Sequence, residues 1–193
     1  MKYEFTGETK MFLGVELKRI RALEDNMAGV KTGDLGGWIE KEKNLTAYGN
    51  AWVYGDACVY GDAKVYGNAC VYGNAWVYGN ACVYGNAWVY GNAWVSGNAK
   101  VSGGKWEKSP LYIQGTKYAL YMANDTKVGC GCQRYTFAGW NKLWRKIADK
   151  FGFTDEERAE YVSYFNLACE RYGKTEYKID LSDENAGADE VDE

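Results

Sequence analysis

The chain has 193 residues, a net charge of −3 and 47% apolar residues. That length suits one domain or a short solenoid with caps, and it can bury roughly two thirds of the unfolded surface. The weak negative charge offers no field for long nucleic acid. No stretch approaches the about 20 apolar residues of a membrane span, and Met1-Lys2-Tyr3-Glu4 does not open a secretory signal, so a cytoplasmic protein is expected.

Residues 1–46 read as an N-terminal β cap. Lys2–Thr6 and Val15–Leu23 alternate apolar and polar side chains, as half-buried strands do. Phe12, Leu13 and Val15 add apolar weight, for two or three strands in all. Lys18, Arg19 and Arg21 fit solvent-facing strand positions or a small basic patch. Residues 29–37 are glycine-rich and read as a loop. Trp38 and Ile39 then lead into the solvated charge run Glu40-Lys41-Glu42-Lys43.

The stretch 47–102 is a repeat. Gly-Asn/Asp-Ala recurs nine times at six-residue intervals, from Gly49-Asn50-Ala51 to Gly97-Asn98-Ala99. Valine keeps the same register from Val53 to Val101. A short fixed period marks a solenoid. In Val53-Tyr54-Gly55-Asp56-Ala57-Cys58 the β-branched valine suits an inward strand position, and Tyr54 then points out. Gly55 and Asp56 tolerate the corner, Ala57 is small enough to sit inside, and Cys58 faces out. One such strand cannot bury its face alone, so the units must stack.

The tandem V-x-G-N/D-A-x resembles the hexapeptide-repeat, left-handed parallel β-helix proteins. The chain is also similar to a group of uncharacterised phage-encoded hexapeptide-repeat proteins. That likeness rests on L-K-R-I-R-A-L (17–23), D-L-G-G-W-I (34–39), the repeats, and S-P-L-Y-I-Q-G (109–115). The resemblance implies three hexapeptides per coil, hence about three coils, with the left hand taken from the family. It also implies a trimer packed along a prism face.

A coil of about 18 residues aligns outward side chains in columns. Tyr54, Tyr72 and Tyr90 form one, Tyr60 and Tyr78 another, and Tyr48, Tyr66 and Tyr84 a third. Trp52, Cys70 and Trp88 share a face, as do Cys58, Trp76 and Trp94, and Lys64, Cys82 and Lys100. Aromatic faces this large usually mark a partner. Tyr54, Tyr72, Tyr90, Trp52, Trp88, Trp76 and Trp94 are therefore candidate oligomer contacts. Structural stacking of the rings and contact with a heterologous partner are the alternatives. Cys58, Cys70 and Cys82 fall on different faces and are not expected to pair.

Residues 103–181 read as a C-terminal α/β cap. Residues 103–110 look like a linker and hold the only proline. Leu111–Gln114, Tyr118–Met122 and Val128–Phe137 read as strands. Trp140, Leu143, Trp144, Ile147 and Phe151 fall on one helical face. Thr154 with Glu157 forms a capping box for a second helix that runs to about Tyr172, and Tyr177–Leu181 reads as a last strand. Residues 182–193 are acidic and read as a disordered tail.

Histidine is absent. That removes the commonest proton shuttle near neutral pH, and the general base that hexapeptide acyltransferases use. Cys130-Gly131-Cys132 has one residue between thiols where a zinc knuckle wants two to four, and Asp56 and Asp62 lie on different faces. No catalytic residue, metal or cofactor is expected. Arg134, Tyr135, Trp140, Lys142 and Arg145, with Lys105 and Trp106 at the end of the repeats, pair rings with cations as a nucleotide-like ligand needs. A solvated amphipathic helix is the plainer alternative. The function expected is binding: a phage-type accessory protein in the host cytoplasm that holds a nucleotide-like signal or a host protein and so counters host defence. A self-associating scaffold and a divergent acyltransferase are the other readings.

Overall fold

The computed structural model describes residues 1–182, so beyond Ser182 the expected disordered tail lies outside the described residues. The chain divides into two units, Met1–Pro110 and Leu111 onward. It is mainly β, a parallel solenoid of about four turns, followed in sequence by a small sheet and two helices.

The first unit opens with the antiparallel strands β1 (Tyr3–Phe12), β2 (Val15–Ala22) and β3 (Leu35–Ile39). The third lies partly in the stretch expected as loop. Nine two-residue strands follow: β4 (Trp52–Val53), β5 (Cys58–Val59), β6 (Lys64–Val65), β7 (Cys70–Val71), β8 (Trp76–Val77), β9 (Cys82–Val83), β10 (Trp88–Val89), β11 (Trp94–Val95) and β12 (Lys100–Val101). Every third strand pairs in parallel, giving the orders β4-β7-β10, β5-β8-β11 and β6-β9-β12. Trp52 lies beside Cys70 and Cys70 beside Trp88, so one turn takes 18 residues.

Sequence causes this shape directly. All nine repeat valines and the nine repeat alanines are buried; each valine contributes about 1.5–3 kcal/mol of burial. The repeat glycines turn the corners at φ between 58° and 78°, a region closed to most L-residues. They also sit on one another: a Cβ on Gly73 would lie 3.1 Å from the Gly91 nitrogen.

Both ends of the solenoid extend beyond the expected 47–102. At the start, β3 pairs in parallel with β5, and Ile39 takes a valine's inward place over Val59. Leu45 bridges Val65 in the same way. At the end, β13 (Lys105–Trp106) pairs with β10 in what was expected as linker. Trp88 meets Lys105 rather than residue 106, so this turn is one residue short. Trp106 thereby occupies the inward position beside Val89; it is buried, and its Nε1 donates to the Gly103 carbonyl at 2.8 Å.

The hydrogen-bond ladder has a direction. The N–H of Trp52 donates to Ala69 and that of Tyr54 to Val71, and so on up the stack. Carbonyls therefore point back toward the N-terminal end, and the first turn's carbonyls need donors from outside the repeat. The N–H groups of Trp38, Glu40 and Thr46 supply Ala57, Val59 and Val65. Lys2 Nζ donates to Gly49 at 3.2 Å and Ala51 at 2.6 Å. Asn44 Nδ2 donates to Gly61 at 3.0 Å and Ala63 at 2.9 Å. Lys2 and Asn44 are the two polar residues that are buried in this part of the core.

The second unit holds the antiparallel meander β14 (Tyr112–Gln114), β15 (Ala119–Met122), β16 (Lys127–Cys130) and β17 (Gln133–Thr136). The single strand expected over 128–137 is thus a hairpin, because Gly131 turns the chain at φ 56° and Cys130 pairs with Gln133. Helix α1 (Phe137–Lys150) starts three residues before Trp140, since the Thr136 hydroxyl accepts from the Gly139 N–H at 3.1 Å. Helix α2 (Asp155–Arg171) begins with the expected capping box of Thr154 and Glu157. The expected strand at 177–181 is absent. Residues Thr175–Tyr177 form a short 3-10 turn, and the Asn166 side chain takes both the N–H and the carbonyl of Ile179 that a strand partner would need.

Candidate functional site

The solenoid columns stack as rings. Tyr60 and Tyr78 lie 5.2 Å apart and nearly parallel, as do Tyr66 and Tyr84 at 5.0 Å and Tyr72 and Tyr90 at 5.0 Å. Trp76 and Trp94 stack at 4.7 Å. Yet the N-terminal strands cover much of this surface. Trp52, expected on an outward face, is buried beside the Tyr3 ring. Tyr54 is half-buried and its hydroxyl donates to the Ala28 carbonyl at 3.1 Å. Phe12 meets Trp76 edge-on at 4.4 Å and joins a cluster with Leu17, Trp38, Cys58 and Tyr60. Of the candidate oligomer contacts, Trp88 and Trp94 stay exposed and Tyr72 and Tyr90 half-exposed.

Where the covering stops, the β4-β7-β10 face forms a groove of about 600 Å³. It is lined by Met27 and Ala28, by the rings of Tyr54, Tyr72 and Trp88, by Cys70, which pairs with Trp88 on the next strand, and by Asn50, Asn68 and Asn86. The three amides are a ladder. Asn50 Nδ2 donates to Asn68 Oδ1 at 2.9 Å, and Asn68 Nδ2 to Asn86 Oδ1 at 3.2 Å. The Asn50 Oδ1 accepts from the Met27 N–H at 3.1 Å. Each amide oxygen accepts one bond and keeps a second lone pair, while each NH₂ group has a hydrogen beyond the ladder. The groove therefore offers amide donors as well as acceptors. Lys105 Nζ stands 5.1 Å over the Trp88 ring and adds a cation beside it. Burial pushes the Tyr54 hydroxyl up to about 12 and raises Tyr72 and Cys70 as well, so these walls are uncharged at neutral pH.

The asparagine column of this groove was readable from spacing. Of the three corner columns, 50-68-86 alone is asparagine throughout; the others start at Asp56 and Asp62. Lys105 reaches the edge of the groove, as a neighbour of Trp88. Trp106, buried at the end of the core, does not.

The remaining candidates lie in the second unit. The Tyr135 and Trp140 rings meet edge-on at 5.4 Å. Trp140 is buried and its Nε1 donates to the Val128 carbonyl at 2.7 Å. Arg134 Nε donates to the Tyr121 hydroxyl at 3.2 Å, and the Arg145 guanidinium covers Trp144 at 4.7 Å. Lys142 is exposed. Only Trp140 of this set borders the unit's apolar cavity; Arg134, Tyr135, Lys142 and Arg145 do not. The six cysteines are free thiols. Among the described residues no group of three or more Cys, Asp or Glu side chains is placed to hold a metal ion, and no helix is long and apolar enough to cross a membrane.

No curated protein matches the chain. Residues 63–79, 75–91 and 81–97 match the model of the YdcK beta solenoid repeat. All three stretches lie inside the stacked turns, so the chain is similar there to a repeat β-helix family.

Proposed function

We propose that the protein works by binding, not catalysis, and that the groove on the β4-β7-β10 face takes a flat, anionic, nucleotide-like ligand. The observation that carries this reading is the pairing of the exposed Trp88 ring with the donor amides of Asn50, Asn68 and Asn86. A base stacks on the ring, acceptor oxygens meet the amides, and Lys105 pairs with a phosphate. The volume lies within the range of small-molecule sites. The likeness to phage-encoded hexapeptide-repeat proteins supports a left-handed coil and a setting in the host cytoplasm, where capture of a signalling nucleotide blunts a defence response.

Calorimetry of the protein against a panel of cyclic nucleotides and ADP-ribose tests the reading. At least one gives saturable heat, and Trp88→Ala weakens it by about 5- to 150-fold, the worth of one stacked base. No heat from any member, with no shift in melting temperature, removes the small-molecule reading.

Self-association is a second reading, favoured by Trp88 and Trp94, which stay 41% and 48% exposed. Light scattering at rising concentration separates the cases. A closed trimer fits an assembled binding protein, and open-ended growth fits a scaffold.

A further inference from the structure

The third face of the solenoid, β6-β9-β12, carries lysine at the outward strand positions where the other two faces carry tryptophan. Strand pairing sets Lys64, Cys82 and Lys100 side by side on successive turns, about 4.8 Å apart along the stack. The thiol therefore stands between two lysines. Both lysines are exposed, and Cys82 is half-exposed.

The same thiol lines a recess of about 370 Å³ together with Lys41, Lys43, Lys64, Asp62 and Asn80. Three lysines thus face one carboxylate. Asp62 is already paired with Lys41 at 3.1 Å, and among the described residues Lys43 and Lys64 have no ion-pair partner. An anion is the natural occupant of such a recess. The other two repeat thiols are placed differently. Cys58 and Cys70 hold the matching outward positions on their faces, but they are buried, with 2% and 7% exposed. The Cys82 Sγ makes a long contact to the Asn80 carbonyl at 3.9 Å, a weak bond for a thiol. Reactive cysteines sit in partly exposed, electropositive surroundings of this kind.

We propose that Cys82 is a modification site, whose thiolate exchanges with small anionic disulfides gathered by the lysines around it. The thiolate attacks one sulfur of the disulfide, that sulfur bonds to Cys82 Sγ, and the old S–S bond breaks. The departing thiolate keeps the electron pair and takes up the proton that Cys82 released. One disulfide replaces another, so no further oxidant is required. The site lies on a different face from the groove, and a failed nucleotide titration leaves it standing.

The test uses the full chain carrying Cys132→Ser, which removes the exposed thiol of the second unit. Glutathione disulfide is added, and peptide mass mapping locates the adduct. Cys82 gains one glutathionyl group, while Cys58 and Cys70 in the folded chain do not. Rates at Cys82 are then read by the same mapping with two probes, the dianionic dithiobis(nitrobenzoate) and the neutral dithiodipyridine. At about 0.01 M salt, Lys64→Gln and Lys100→Gln each lower the anionic-to-neutral rate ratio by about 2- to 4-fold, the worth of one unit charge at about 5–8 Å in water. Lys64→Arg keeps the charge and the ratio. At about 1 M salt the difference between wild type and the glutamine variants vanishes. Absence of an adduct on Cys82 overturns the proposal. A rate ratio that neither substitution nor salt moves overturns it as well.

Discussion

Lys2 and Asn44 carry more than surface residues of their type usually do. Each gives donors to two carbonyls that no repeat can reach. Lys2→Met leaves the Gly49 and Ala51 carbonyls without their donor and should cost about 1–3 kcal/mol, read by urea unfolding. The lysine also carries a pH dependence. Burial lowers it from the ordinary 10.5 to about 8, against a smaller opposing pull from Glu24. Between those values the unfolded chain holds more protons than the folded one, so this residue's contribution rises with pH. Tyr3 acts oppositely. Burial raises it from 10.0 to about 12, the unfolded chain ionises first, and stability falls as pH climbs through that window. The stability of wild type minus that of Lys2→Met should therefore increase from pH 8 to about 10.5, and a flat difference would contradict the buried ammonium.

At the scale of elements, two glycines separate backbone strain from crowding. Gly29 and Gly73 both have positive φ, 85° and 69°. A Cβ on Gly29 meets nothing, whereas on Gly73 it meets the backbone of the next turn. Gly29→Ala should cost about 1–2 kcal/mol. Gly73→Ala should cost clearly more, in melts followed by circular dichroism. Thr154→Ala should cost about 1 kcal/mol and speed hydrogen exchange in the first turn of α2. The repeat and this cap were legible in the sequence because their causes are local: a valine fixes the inside, a glycine the corner, a threonine its own helix start. What escaped prediction depends on distant partners. Trp52 occupies the same outward position as Trp88, but the Tyr3 ring, far off in the chain, packs against it and it is buried. Lys105-Trp106 reads as linker until β10 offers a strand at a register one residue short. The asparagine column was in the spacing, but its groove needed Met27 and Ala28 to close it.

For the first unit as a whole, the covering of aromatic faces by β1–β3 governs how much ring surface meets solvent. Phe12 is the contact that reaches furthest, touching both Tyr60 and Trp76. Phe12→Ala should lower stability by about 2 kcal/mol, since the ring is only partly buried. It should also uncover Trp76, so that light scattering reports a higher mass at equal concentration. An unchanged mass would mean that stacking within the columns, such as Trp76 on Trp94, already satisfies these rings. The density of Tyr and Trp in the sequence therefore does not measure a partner surface; part of it is a seat for the chain's own N-terminus.

The one-way ladder has a consequence for polymerisation. Copies of such a stack grow head to tail by setting a row of N–H groups against a row of carbonyls, a contact that needs two unlike ends on every copy. Lys2 and Asn44, with the N–H groups of Trp38, Glu40 and Thr46, turn the carbonyl row inward upon the molecule itself. Blocking that one end denies every copy its successor, whatever the opposite end presents. The backbone of Trp38, Glu40 and Thr46 and the side chains of Lys2 and Asn44 share that work, so filament growth would need the N-terminal strands displaced as well as the two donors removed.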